Sequence, residues 1–297
     1  MEKARAAIAL IAFDLDGTVF GRPGVEEVSP RLERAFKAAR EAGVVLCAAT
    51  GRPYWMLGEQ LETAPWLDWA IAANGAQVAP MRGSPPDAMA SESCIPRDKA
   101  LWLIDLLDGH GAGTNAHLQD RTLVQGWTPG HITALAYTKE INGGDAAMDP
   151  FATLYEQGLM VDSSSVASAM RADPSLRLDK VDAVLPDETT CDRAMAELVA
   201  GGGLEVARTS PKDLEITVAG VSKGMALGRL CSSLGMDEAD AVAFGDSGND
   251  LSMAGRGTTF VAMGNAAPEV KAAADEVCGT VTDDGVAVWI EEHVLGR

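Results

Sequence analysis

Short apolar runs alternate with amphipathic stretches near both ends of the chain. Ile8–Phe13, Val44–Ala49 and Trp69–Ala73 have the length and composition of strands, and Ser29–Ala42 has the period of a helix. Ser29 suits the cap of that helix, Pro30 its first turn, and Gly43 its left-handed exit. The alternation returns from Ser222 with a helix to Leu234, a strand Asp240–Phe244 and a helix near Asp250. A strand Thr258–Ala262, a helix near Pro268–Ala274 and a last helix to Val294 complete it. Together the two ends predict one parallel, Rossmann-like α/β sheet.

The middle of the chain has another character. Met81–Pro96 is rich in Gly, Pro and Ser without a period and reads as a linker. Beyond it, Ala100, Leu103, Ile104 and Leu107 mark one amphipathic helix, and Cys191, Met195, Leu198 and Val199 mark another. Strand-like alternation occurs at Thr114–Gln119, Arg121–Trp127, Asp179–Leu185, Leu204–Ala207 and Leu214–Val218, while Asn142–Asp149 and Asp162–Ser168 fit neither period. The expected organisation is a core of 1–80 with 218–297, interrupted by an α+β insertion over 81–217.

The chain has 297 residues, enough for about two domains. Its 24 Lys and Arg against 43 Asp and Glu leave a formal charge of −19, which argues against nucleic acid and membrane surfaces as partners. An anionic substrate would have to be met by a local cation, backbone N–H groups or a metal ion. Five cysteines without CxxC spacing predict reduced thiols and a cytoplasmic setting. The apolar run Ala6–Phe13 ends in Asp14-Leu15-Asp16, so it reads as a strand and not as a signal peptide.

Three strands end abruptly in polar residues: Asp14-Leu15-Asp16-Gly17-Thr18, Thr50-Gly51-Arg52, and Gly245-Asp246-Ser247-Gly248-Asn249-Asp250. Ligands of open α/β sheets bind beyond the carboxyl ends of strands, so the three endings are candidates for one crevice. Two neighbouring carboxylates push one another's proton affinities apart, which suits Asp14 as a nucleophile toward phosphorus and Asp16 as acid and base. Gly17 permits a close turn, and Thr18 is expected to tie the loop by a side-chain hydrogen bond. Asp246 adds a carboxylate for a hard cation, Mg²⁺ by preference. Thr50 and the Gly51 backbone offer uncharged donors to phosphate, and Lys223 offers a cation at a helix start. Asn249 is a candidate to orient phosphate or Lys223, with Asp250 supporting from behind.

These motifs, in this order, resemble the haloacid dehalogenase-like (HAD) hydrolases, specifically the Cof-type phosphatases with a large cap between the second and third motifs. DLDGT at 14–18, TGR at 50–52, NGA at 74–76, GVSKG at 220–224 and GDSGND at 245–250 carry the resemblance, joined by AMGNA at 262–266 and DDGVA at 283–287. It implies a Mg²⁺-dependent phosphomonoesterase acting through an aspartyl phosphate, with metal on Asp14, Asp246 and the Asp16 carbonyl. The expected partner is a small phosphomonoester, such as a sugar phosphate. A phosphomutase shares the same motifs, and a non-catalytic phosphate-binding protein is a further alternative. A dehalogenase has no leaving alcohol for Asp16 to protonate, and a receiver domain needs neither Asp16 nor an insertion.

No motif marks the insertion, and no pattern assigns an oligomeric state. Along Thr114–Gln119, alternation sets Asn115, His117 and Gln119 on one face of a strand, either solvated or turned toward a substrate's hydroxyl groups. His110, His131 and His293 lack metal-ligand spacing and read as surface residues.

Overall fold

The computed structural model describes residues 8–21, 27–81, 91–126 and 156–297. The first five strands are β1 (Leu10–Phe13), β2 (Val45–Ala49), β3 (Trp69–Ala72), β4 (Gln77–Pro80) and β5 (Ser91–Glu92). They are followed by β6 (Gly113–Leu118), β7 (Thr122–Gln125), β8 (Met160–Asp162), β9 (Leu178–Val184), β10 (Leu204–Ser210) and β11 (Asp213–Val218). The last three are β12 (Ala241–Gly245), β13 (Thr259–Ala262) and β14 (Glu276–Val277).

Two compact units result, one of Met1–Ser91 with Ser222–Arg297 and one of Glu92–Val221. Both junctions fall later than the 80/81 and 217/218 boundaries expected from composition. Met81 is still tied to the first unit, its N–H donating to the Asp68 carbonyl at 2.9 Å. Val218 still pairs with Leu204 inside the second.

The first unit is built on an eight-stranded sheet in the order β14-β13-β12-β1-β2-β3-β4-β5. Strands β14 to β3 run parallel, and β4 turns back against β3. Every residue of β1 is buried, as a central parallel strand requires, which explains why Leu10–Phe13 is apolar without alternation. The helix Pro30–Glu41 has Ser29 as its cap, the Ser29 hydroxyl accepting from the Leu32 N–H at 3.1 Å. This helix packs on the last helix, Gly285–His293. The expected helix near Asp250 is only a short 3₁₀ turn, Asp250–Met253, because Asp250 is engaged with the preceding loop.

The second unit is a six-stranded sheet in the order β10-β11-β9-β6-β7-β8. It is antiparallel except for β7 with β8. Helices Arg97–Gly109, Val166–Ala172 and Glu188–Gly201 share its apolar core, in which Leu103, Leu107, Cys191 and Leu198 meet Val181, Ala183 and Ile216. The unassigned stretch Asp162–Ser168 contains the end of β8 and the Ser165 cap of Val166–Ala172. Asn142–Asp149, His131 and Trp127 lie outside the described residues. All five cysteines are free. Among the described residues no helix is long and apolar enough to cross a membrane.

Candidate active site

The order of strands explains why distant motifs meet. β1 lies between β12 and β2, with Phe13 level with Phe244 on one side and Ala48 on the other. The residues just beyond these ends are Asp14, Asp246 and Thr50, so three polar endings are gathered by backbone pairing before any side chain contributes. The Asp14 N–H continues the ladder to the Phe244 carbonyl at 3.0 Å, and the Thr50 N–H reaches the Ile71 carbonyl at 2.8 Å.

Asp14 is 5% exposed and Lys223 is wholly buried. Lys223 Nζ donates to Asp14 Oδ1 at 2.6 Å and to Asp250 Oδ1 at 2.7 Å. Lys223 opens the helix Lys223–Ser233, whose cap Ser222 accepts from the Met225 N–H at 3.3 Å. Gly224 allows this helix start to approach, since a Cβ there would lie 1.8 Å from the Ser252 carbonyl oxygen. Asp250 Oδ2 accepts the Asp246 and Ser247 N–H groups at 2.9 and 3.0 Å. Asp250 thus fixes both the lysine and the loop that carries Asp246.

Carboxylate oxygens of Asp14, Asp246 and Asp250 lie within 4.8 Å of one another. Burial is the main reason that Asp14 holds its proton well above the ordinary carboxylate range; Lys223 opposes this, while Asp250, Asp246 and Asp16 reinforce it. Burial and then Asp250 push Asp246 up to about 7. Since Asp250 spends its oxygens on Lys223 and two N–H groups, Asp14 and Asp246 are the better donors to a cation. Asp246 Oδ1 is buried without a hydrogen-bond partner, and such an atom fits a cation that the carboxylates would share.

Gly17 lets the turn after β1 lie close against Asp246. Its φ is +86°, and a Cβ there would lie 2.3 Å from Asp246 Oδ2. The turn is held by backbone bonds, Gly17 N–H to the Phe20 carbonyl at 3.0 Å and Thr18 N–H to the Leu15 carbonyl at 3.3 Å. This corrects the expectation for Thr18. Its hydroxyl is buried and completes no hydrogen bond, although it lies close enough to Asp246 to temper that group's proton affinity.

The Thr50 hydroxyl accepts the Arg52 N–H at 3.1 Å and keeps its own proton to donate. Gly51 is half-buried beside it. The Asn249 amide donates to Asn74 Oδ1 at 3.4 Å, and its oxygen accepts from the Ser247 hydroxyl at 2.8 Å. Lys223 itself is held by Asp14 and Asp250.

Two residues escaped the sequence reading. Arg52 forms a two-pronged pair with Asp16, Nε to Oδ2 at 2.8 Å and Nη2 to Oδ1 at 2.7 Å. Its position at the end of TGR was the available signal. Asn265, in AMGNA, donates to the Gly17 carbonyl at 2.8 Å and accepts the Val281 N–H at 2.9 Å, clamping the turn.

In the second unit, His117 is 3% exposed. Its Nδ1 meets Thr122 Oγ1 and its Nε2 meets Asp182 Oδ2, both at 2.7 Å. Lys180 Nζ adds bonds to Asp182 Oδ1 at 2.8 Å and Glu215 Oε1 at 2.9 Å. Of the three residues expected on one face of this strand, His117 is inside a charged cluster, Asn115 is half-buried, and Gln119 is exposed beyond the end of β6.

A family model described as haloacid dehalogenase-like hydrolase matches residues 11–290. The chain belongs to this family. The HAD chain is 25% identical over 288 residues to a 5-amino-6-(5-phospho-D-ribitylamino)uracil phosphatase of Bacillus subtilis, covering 97% of this chain and 96% of that one. It is 28% identical over 286 residues to a pyridoxal phosphate phosphatase of Escherichia coli, covering 96% and 98%. Among solved structures, a haloacid dehalogenase-like hydrolase from B. subtilis superposes with a TM-score of 0.81 at 23% identity, over 96% of this chain and 99% of that one. The HAD fold thus extends over both units.

Proposed function

We propose that this HAD hydrolase is a Mg²⁺-dependent phosphatase that hydrolyses a small phosphorylated metabolite through an aspartyl phosphate. The observation that carries the reading is the buried contact between Lys223 and Asp14 beside the unfilled oxygen of Asp246. Lys223 holds Asp14 Oδ1, so Oδ2 is the oxygen that attacks phosphorus in line with the leaving oxygen. Asp16 donates a proton to that leaving oxygen and then takes one from the water that hydrolyses the aspartyl phosphate. Thr50 Oγ1, the Gly51 N–H and Lys223 receive the phosphoryl oxygens, and Asn249 lies at the same strand end to orient them. Asp14, Asp246 and the Asp16 carbonyl would hold Mg²⁺, with Asp250 supporting their loop. When bound, the ion neutralises charge between the carboxylates and the phosphate.

The two relatives named above act on a phosphoribityl compound and on pyridoxal phosphate, which supports small phosphomonoesters as the substrate class. The test is a screen of the purified protein with Mg²⁺ against phosphorylated sugars, nucleotides and cofactor precursors, with Asp14→Asn as control. Phosphate release from at least one compound, lost in the variant, is expected. Release undiminished in Asp14→Asn would overturn the reading.

A further inference from the structure

Asp16 is the least buried of the site's carboxylates, its side chain 48% exposed, and an exposed carboxylate on a turn ordinarily samples several rotamers. Here it does not stand alone. The Arg52 guanidinium, 15% exposed, grips both its oxygens, and the two-pronged geometry fixes direction as well as distance. Arg52 is itself held from several sides. Its carbonyl accepts the Ala73 N–H at 2.7 Å, its N–H donates to Thr50 Oγ1, and its Nη1 reaches the Met56 carbonyl at 3.5 Å. Its guanidinium carbon lies 5.4 Å from the centre of the Phe20 ring. Phe20 is buried, and its carbonyl accepts the Gly17 N–H. One ring therefore supports the arginine while the same residue's backbone closes the turn that presents Asp16.

We infer that Arg52 is a positioning residue for Asp16: it holds the carboxylate in one orientation and gives up one of its two bonds when Asp16 meets the substrate. The inference rests on the reading of Asp16 as the proton donor and acceptor. To donate, Asp16 must carry a proton on one oxygen; that O–H turns from the guanidinium to the leaving oxygen, whereas the other oxygen keeps its bond from Arg52 and still sets the direction of the carboxyl group. Lys at position 52 would supply a charge without the planar fork, and Ala would supply neither.

The test compares two substrates that differ in their need for a proton. Glycerol 1-phosphate has a poor leaving group that must be protonated; p-nitrophenyl phosphate leaves readily without help. Arg52→Ala is expected to lower kcat on glycerol 1-phosphate about 100-fold, the scale of a misplaced acid, with KM nearly unchanged. The loss on p-nitrophenyl phosphate should be below about tenfold, with Arg52→Lys intermediate and added guanidinium ion partly restoring Arg52→Ala. Equal losses on both substrates with raised KM would make Arg52 a phosphate contact and overturn the inference. No loss on either would overturn it as well. Where circular dichroism shows Arg52→Ala unfolded, Arg52→Lys and Arg52→Gln carry the same comparison. Wild-type protein inactive on both substrates, and on the wider screen, would instead remove the phosphatase reading itself.

Discussion

Lys223 Nζ lies 2.6 Å from Asp14 Oδ1 across 209 residues of sequence, and both side chains are buried. Burial alone would drive a proton off the lysine; Asp14 and Asp250 reverse this and hold it firmly charged. Removing the cation leaves two buried carboxylates facing each other. Lys223→Met should therefore destabilise the metal-free protein by about 3–5 kcal/mol, the usual result of breaking a buried ion pair from one side. Turnover should be lost with it. Thermal unfolding and phosphate release check this, and a melting temperature equal to wild type would contradict it.

The Asp246 carboxylate gives a prediction about pH. In metal-free protein it titrates at about 7 against an ordinary value of 3.8, raised first by burial and then by Asp250. The folded state therefore binds a proton more readily than the unfolded chain. The resulting stability is fully present below the ordinary carboxylate range and is lost as pH rises through about 7. Protein treated with EDTA should lose melting temperature from pH 5 to pH 8, and Asp246→Asn should flatten that slope. Added Mg²⁺ should raise the melting temperature more at pH 8, where it no longer competes with the proton, than at pH 5. A larger Mg²⁺ effect at pH 5 would count against a cation on this carboxylate.

Gly17 tests how closely the turn must approach. Ala at this position meets a φ of +86° and brings its Cβ to 2.3 Å from Asp246 Oδ2. The backbone term costs on the order of 1–2 kcal/mol, and Asp246 must move. Gly17→Ala is expected to fold with a lowered melting temperature and to lose about 100-fold in kcat, as a misplaced group near the reacting atoms does. Stabilisation by Mg²⁺ should weaken in parallel. Wild-type kcat would show that the loop can retreat without harm.

Strand ends in the first unit were legible because β1, β2 and β12 are apolar runs that stop abruptly at Asp14, Thr50 and Asp246. Their adjacency follows from parallel pairing, which the βαβ pattern also announces. What was not legible depends on side-chain direction. Nothing in the spacing of Asp16 and Arg52 says that a guanidinium will take both oxygens. Period-two alternation correctly set His117 opposite Ala116 and Leu118, yet it could not tell a solvated face from one filled by Lys180 and Asp182, which come from a strand more than sixty residues away. The domain junctions were early because Met81 and Val218 are held by backbone bonds that composition does not register.

His117 provides the sharpest contrast between position and role. Both its ring nitrogens are engaged at 2.7 Å, with Thr122 and Asp182, and the ring is 3% exposed. Burial acts against the Asp182 charge, yet Lys180 and His117 together hold its proton affinity well below the ordinary range. His117→Ala leaves Asp182 with Lys180 but strips the Thr122 hydroxyl of its imidazole partner in a wholly buried place. A loss of about 1–3 kcal/mol in stability is expected, the cost of an unsatisfied buried polar group. Gln119→Ala, exposed beyond β6, should stay within about 0.5 kcal/mol of wild type. Denaturant titration measures both. Once compared at temperatures where each variant is folded, His117→Ala should treat a hydroxylated phosphomonoester and p-nitrophenyl phosphate alike. Unchanged stability together with a loss confined to the hydroxylated substrate would instead show that His117 reads the substrate, one of the two alternatives that the alternation along β6 leaves open.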